Sequence, residues 1–122
     1  MKTRRNLIIY DKQGPLGNTI ARSFQKTPIA VYKNKKITQI LDLVRLKQKI
    51  NFVFVLFIFN EEFELVECTL LAQLNVPIIF APTNKHSYKN LIKMKGIEVM
   101  DVSKHKSLHI SQILDFLETH DT

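Results

Sequence analysis

Residues 51 to 64 read NFVFVLFIFNEEFE, and this stretch constrains the chain more than any other. Eight consecutive apolar residues, Phe52 to Phe59, run without a charge into Asn60 and then Glu61, Glu62 and Glu64. The run is too short to span a membrane as a helix, and it is rich in the aromatic and β-branched residues that favour strands. A strand with no polar side must be covered on both faces, which demands helices packed above and below a sheet. In such α/β proteins the groups just past the strand ends face the crevice where ligands meet the protein.

The rest of the chain supplies the partners that this strand needs. NLIIYD (6 to 11), PIAVY (28 to 32), VPIIFAP (76 to 82) and IEVMDV (97 to 102) are four further short apolar runs. Between them the hydrophobic period lengthens to that of a helix. TIARSF places Ile20, Ala21 and Phe24 at helical spacing, and KITQILDLVRLKQK puts Ile37, Ile40, Leu41 and Val44 on one stripe. EEFELVECTLLAQL stacks Phe63, Val66, Leu70 and Leu74, with glutamates in the first turn where the helix dipole favours them. HSYKNLIKMKG is a short helix stopped at Gly96, and Ser107 caps a last helix facing the core with Ile110, Ile113, Leu114 and Leu117. Five βα units within 122 residues predict one doubly wound α/β domain over residues 1–122, with a five-stranded parallel sheet in the order 2-1-3-4-5.

Composition narrows the function classes. The single cysteine, Cys68, has no partner within the chain and reads as a buried thiol in a reducing compartment. Only about four apolar residues follow the basic start MKTRR before Asp11, so neither a signal peptide nor a membrane span is expected, and the expected location is cytoplasmic. The net charge is +7, but it is unevenly spread: residues 1 to 49 hold twelve Lys or Arg against Asp11 and Asp42, while residues 50 to 84 hold four Glu and no base. These lysines fall on several elements and lack interleaved aromatics, so nucleic-acid binding is not expected.

With these units in place, the chain resembles a response-regulator receiver domain over essentially its whole length. The resemblance rests on LIIYD at the first strand, FELVECTLLAQLNVPIIFAPT through the third helix and fourth strand, and GIEVMDVSKHKSLHISQILDFL at the end. It implies a strand-end pocket formed from Asp11, Asn60, Glu61, Glu62, Thr83 and Lys104. In the family an acidic pair, a phosphoacceptor Asp, a Thr or Ser, and a Lys hold a divalent cation and a phosphoryl group.

Residue by residue, the chain departs from that set. Asp11 stands between Tyr10 and Lys12, so the second carboxylate is missing. No Asp occurs between Asp42 and Asp101, and Leu56 or Asn60 takes the acceptor position according to register. Pro82 stands where the hydroxyl belongs with Thr83 one place later, and Ser103 stands at the lysine position with Lys104 one later. The expected function is therefore that of a pseudo-receiver in signal transduction, with no catalytic residues, acting through protein contacts and not through aspartyl phosphorylation. Asp11, Glu61 and Glu62 are the only candidate ligands for Mg²⁺ or Ca²⁺, and the two glutamates also serve simply to start a helix.

The resemblance further implies a protein partner or a homodimer docked on the face of the fourth helix, fifth strand and fifth helix. Tyr88, Lys93, Met100, His109, Gln112 and Phe116 are the candidates there. A second resemblance is local: GPLGNTIARSF looks like a flavodoxin phosphate loop, with Gly14, Gly17, Asn18 and Thr19 holding FMN or another phosphate-bearing ligand. Against it stand the absence of Trp, which leaves Tyr88 and His86 to flank a flavin, and the plainer reading of a Gly-Pro turn followed by an Asn or Thr cap. His105 and His109 are spaced i, i+4, but the helix starts between them, so they read as surface histidines.

Overall fold

The computed structural model describes residues 4–120. Five strands are β1 (Arg5–Asp11), β2 (Ala30–Asn34), β3 (Phe52–Phe59), β4 (Ile78–Pro82) and β5 (Glu98–Val99). The helices are α1 (Pro15–Ser23), α2 (Ile37–Gln48), α3 (Cys68–Ala72), α4 (Lys85–Leu91) and α5 (Lys106–His120), with a 3₁₀ segment, Glu62–Glu67, leading into α3. All strand pairs are parallel and the order is β2-β1-β3-β4-β5, the flavodoxin-like arrangement expected from the sequence.

Because side chains alternate along a strand, the central strands divide the core into two layers. Leu7, Ile9, Phe54, Leu56 and Ile58 meet Ile20 of α1, Phe24 just past its end, and Ile113, Phe116 and Leu117 of α5. Ile8, Tyr10, Val53, Val55, Phe57 and Phe59 meet Ile40, Leu41 and Val44 of α2, Cys68 and Leu71 of α3, and Leu91 of α4. Seven of the eight residues of β3 are buried, which is what an uninterrupted apolar run requires.

Several sequence expectations change in detail. The stripe Phe63, Val66, Leu70 does not face the core: these side chains are 72%, 69% and 40% exposed. Cys68 and Leu71 are buried instead, with Leu65 and Leu74 packed beside them. The four lie three residues apart, the spacing that eclipses in a 3₁₀ helix, whereas the expected stripe assumed a regular α-helix from Glu61 onward. At the start of α5 the cap is His105, whose Nδ1 accepts from the Ser107 amide at 3.1 Å, and Ser107 lies inside the helix. The fifth strand is only two residues long.

Three members of the expected docking face are core residues. Met100 is fully buried, and His109 and Phe116 are 5% and 6% exposed. The helical face of α5 is wider than the four-residue stripe read from the sequence, so it takes His109 and Phe116 inward together with Ile113 and Leu117. The His109 ring survives burial because its Nε2 donates to the Asp101 carbonyl at 3.0 Å. Gln112 is half-buried and donates to Glu98 and to the Val99 carbonyl. Tyr88 and Lys93 remain accessible.

Candidate functional site at the strand ends

The parallel register sets Ile58 directly beside Asp11, and Phe59 beside Pro82. Leu56 pairs with Ile9 and Ile79 inside the sheet and is fully buried, so Asn60 is the residue that reaches the strand-end crevice. Thr83, one residue past the end of β4, donates its amide to the Phe59 carbonyl at 2.8 Å and its hydroxyl to Asn60 Oδ1 at 2.9 Å. Asp11, Asn60 and Thr83 therefore do line one pocket, together with Ile58 and Glu64. Its volume is only about 10 Å³, room for a single water at most.

The polar groups around that crevice are engaged with the chain itself. Asp11, 7% exposed, accepts from the Gly17 amide at 2.8 Å and the Gln13 amide at 3.1 Å. Glu64 accepts from the amides of Asn60 (3.0 Å) and Glu61 (2.7 Å), and so caps the 3₁₀ segment. Glu62 accepts from Asn90 of α4 at 3.0 Å. Among the described residues no three of His, Cys, Asp and Glu come together as a ligand set, so Asp11, Glu61 and Glu62 do not converge on a metal position. Lys104 is exposed and does not line the pocket; it follows a turn held by the Asp101 carboxylate, which accepts from the Ser103 amide and hydroxyl at 3.0 and 2.6 Å. Those two bonds hold the Asp101 carboxyl below its usual range.

The place of the missing second carboxylate is taken by a cluster that sequence reading did not identify. Tyr10 is fully buried against Phe57, with ring centroids 4.9 Å apart, and its hydroxyl donates to both oxygens of Glu67 at 2.9 and 3.0 Å. Lys12 reaches the same carboxylate at 2.8 Å. Burial, reinforced by the bond to Glu67, pushes the Tyr10 phenol up to about 12, and the Glu67 contact raises the Lys12 ammonium. Next to it, burial pushes the Cys68 thiol up to about 12, which suits a core thiol and not a nucleophile. The signal available in the sequence was Tyr10 itself, an aromatic with a polar tip where the strand meets its loop.

The glycine loop is also closed on itself. Gly14, at φ 92°, is the residue before the helix, Pro15 is its first residue, and Asn18 and Thr19 lie inside α1 and do not cap it. The Gly17 amide is bound to Asp11, the Asn18 amide to the Gly14 carbonyl, and the Thr19 hydroxyl turns back to the Pro15 carbonyl. An anion at this helix start would meet the Asp11 carboxylate already seated there. A neighbouring pocket of about 110 Å³ brings Gly14, Gly17 and Asn18 together with Lys33, Asn34 and Lys35, but leaves out Thr19.

Fold and crevice together define a flavodoxin-like α/β domain whose strand ends are filled by its own side chains. No family model matches the chain, and neither do any curated proteins or solved structures.

Proposed function

We propose that this chain is a regulatory domain of receiver-like architecture that works through protein contacts and not through an aspartyl-phosphate cycle. The observation that carries the reading is the crevice: Ile58 beside Asp11, Asp11 held by two backbone amides, and a Thr83–Asn60 bond across about 10 Å³. Phosphoryl transfer needs an in-line approach to a free carboxylate and a cation to spread the charge. The side chain beside Asp11 carries no carboxylate, and Asp11 itself is committed to the Gly17 and Gln13 amides. A phosphate-bearing ligand at the first βα loop is the weaker reading, because Asp11 already occupies the Gly17 amide.

What supports the contact reading is apolar surface outside the core. Ile92 and Met94, at and beyond the end of α4, are 51% and 57% exposed. With Tyr88 and Lys93 they leave the α4 side open to a partner or a second copy after Met100, His109 and Phe116 are withdrawn into the core. Incubation with acetyl phosphate and Mg²⁺ followed by intact-mass measurement tests the reading. An unchanged mass is expected, and a phosphoryl adduct on any carboxylate of the strand ends overturns it.

A further inference from the structure

The two edges of the sheet are finished differently. At one edge β5 is two residues long, and Gln112 of α5 donates to its Val99 carbonyl at 3.0 Å. At the other, β2 offers five residues whose only strand neighbour among the described residues is β1. Alternate residues of a strand paired on one side turn N–H and C=O outward, ready to pair with another strand. Alongside that open side lies a groove of about 640 Å³ between α1 and β2. Half-buried Ala21 and Val31 give it apolar surface over a floor of buried Phe24 and Ile29, and the exposed Arg22 and Lys33 add charge.

We propose that this edge is the docking site for an acidic, extended segment of a partner protein, which adds a strand beside β2 and lays alternate apolar side chains into the α1–β2 groove. The proposal rests on the reading that the chain works through protein contacts, and it names where and with what chemistry. Main-chain bonds to β2 supply affinity in such strand addition, and the groove supplies side-chain selection.

Charge decides the occupant. Lys33, Lys35 and Lys36 are exposed along and just after the strand, and Arg22 of α1 lines the groove with Lys33. Of the acids in the first 49 residues, Asp42 lies 3.7 Å from Arg45 on α2, and Asp11, tied to two backbone amides, shares a pocket with Lys33 and Lys35, so one carboxylate stands against the four bases Arg22, Lys33, Lys35 and Lys36. The Lys33 ammonium meets the amide oxygen of Asn18, a neutral group. Pairing of β2 with β2 of a second copy would bring these lysines together, and edge lysines are a recognised barrier to self-pairing. A nucleic-acid strand has no amide ladder for the open edge, and the one aromatic ring of the groove, Phe24, is 1% exposed and offers no stacking surface. An acidic peptide satisfies both the ladder and the charge.

The test uses a fluorescent synthetic peptide in which Val alternates with Glu, with fluorescence anisotropy as the readout. Three controls accompany it: the same peptide with Lys for Glu, versions N-methylated at alternate residues in both registers, and a single-stranded oligonucleotide. The acidic peptide is expected to bind, to weaken as salt rises, and to lose affinity on N-methylation in one register. Arg22→Glu with Lys33→Glu is expected to weaken it by about tenfold or more while circular dichroism is unchanged. Should that variant not fold, Lys33→Gln and the salt dependence of the wild type carry the same test. Equal binding of the Lys peptide, indifference to N-methylation in both registers, preference for the oligonucleotide, or a dimer through β2 in sedimentation overturns the proposal. Loss of docking with an unchanged mass after acetyl phosphate treatment removes this docking site and leaves the contact reading standing, whereas a phosphoryl adduct removes both, because this proposal rests on that reading.

Discussion

Single residues close this crevice, and Gly17 shows how tightly. A Cβ at that position would stand 3.1 Å from Asp11 Cβ, 3.1 Å from Ile9 Cγ2 and 3.2 Å from Asp11 Oδ2. Ordinarily a helical Gly→Ala gains about 1 kcal/mol of propensity. Here neither neighbour has room to give, since Ile9 is fully buried in a central strand and Asp11 is pinned by two amides. Gly17→Ala is therefore expected to destabilise by about 1–2 kcal/mol in urea unfolding, the cost of overpacking. Tyr10 gives a second prediction. Its phenol titrates at about 12 in the folded chain against an ordinary value of 10.0, a raised pKa, so its contribution is complete below pH 10. As pH climbs from 10 to 12 the unfolded chain ionises first and that contribution is lost. Tyrosinate absorbance should show a step near pH 12, and Tyr10→Phe should remove that step and flatten the alkaline fall in stability.

The segment between β3 and β4 is where element-level reading was corrected, and it can be tested directly. Leu71 is fully buried while Phe63 and Leu70 are 72% and 40% exposed. Leu71→Ala should cost about 2–5 kcal/mol, whereas Phe63→Ala and Leu70→Ala should each stay within about 0.5 kcal/mol. The reverse ranking in denaturant midpoints would restore the regular helix. The strands were legible because β3 is apolar throughout and its neighbours are short apolar runs, signals that do not depend on distant contacts. The 3₁₀ turn was not, because Glu64 reaching back to the amides of Asn60 and Glu61 sets the phase of the helix, and a periodicity count assumes that phase. The inward turn of His109 was likewise hidden: its acceptor, the Asp101 carbonyl, lies outside the helix, and a backbone oxygen leaves no trace in residue type. At the crevice, Asp11, Asn60 and Thr83 were legible as neighbours from strand order alone, but the Thr83–Asn60 bond and the Gly17–Asp11 bond depend on register.

At the scale of the molecule, charge and shape are segregated across the sheet. The basic first 49 residues carry the open β2 edge, and residues 50 to 84 carry the glutamates that bind back to amides, to Tyr10 and Lys12, or to Asn90. The apolar strand β3 stands between them and ends at Asn60 in a closed polar seam. Among the described residues no helix is long and apolar enough to cross a membrane. This seam is closed by the chain's own polar groups, and it is expected to take up neither cation nor phosphoryl group. Amide chemical shifts followed through addition of Mg²⁺ and then beryllofluoride, a stable phosphoryl mimic, test it most directly. The amides of Asp11, Gly17, Asn60 and Thr83 are expected to stay in place at both steps; saturable shifts centred on those four residues would mean that the seam opens to a ligand.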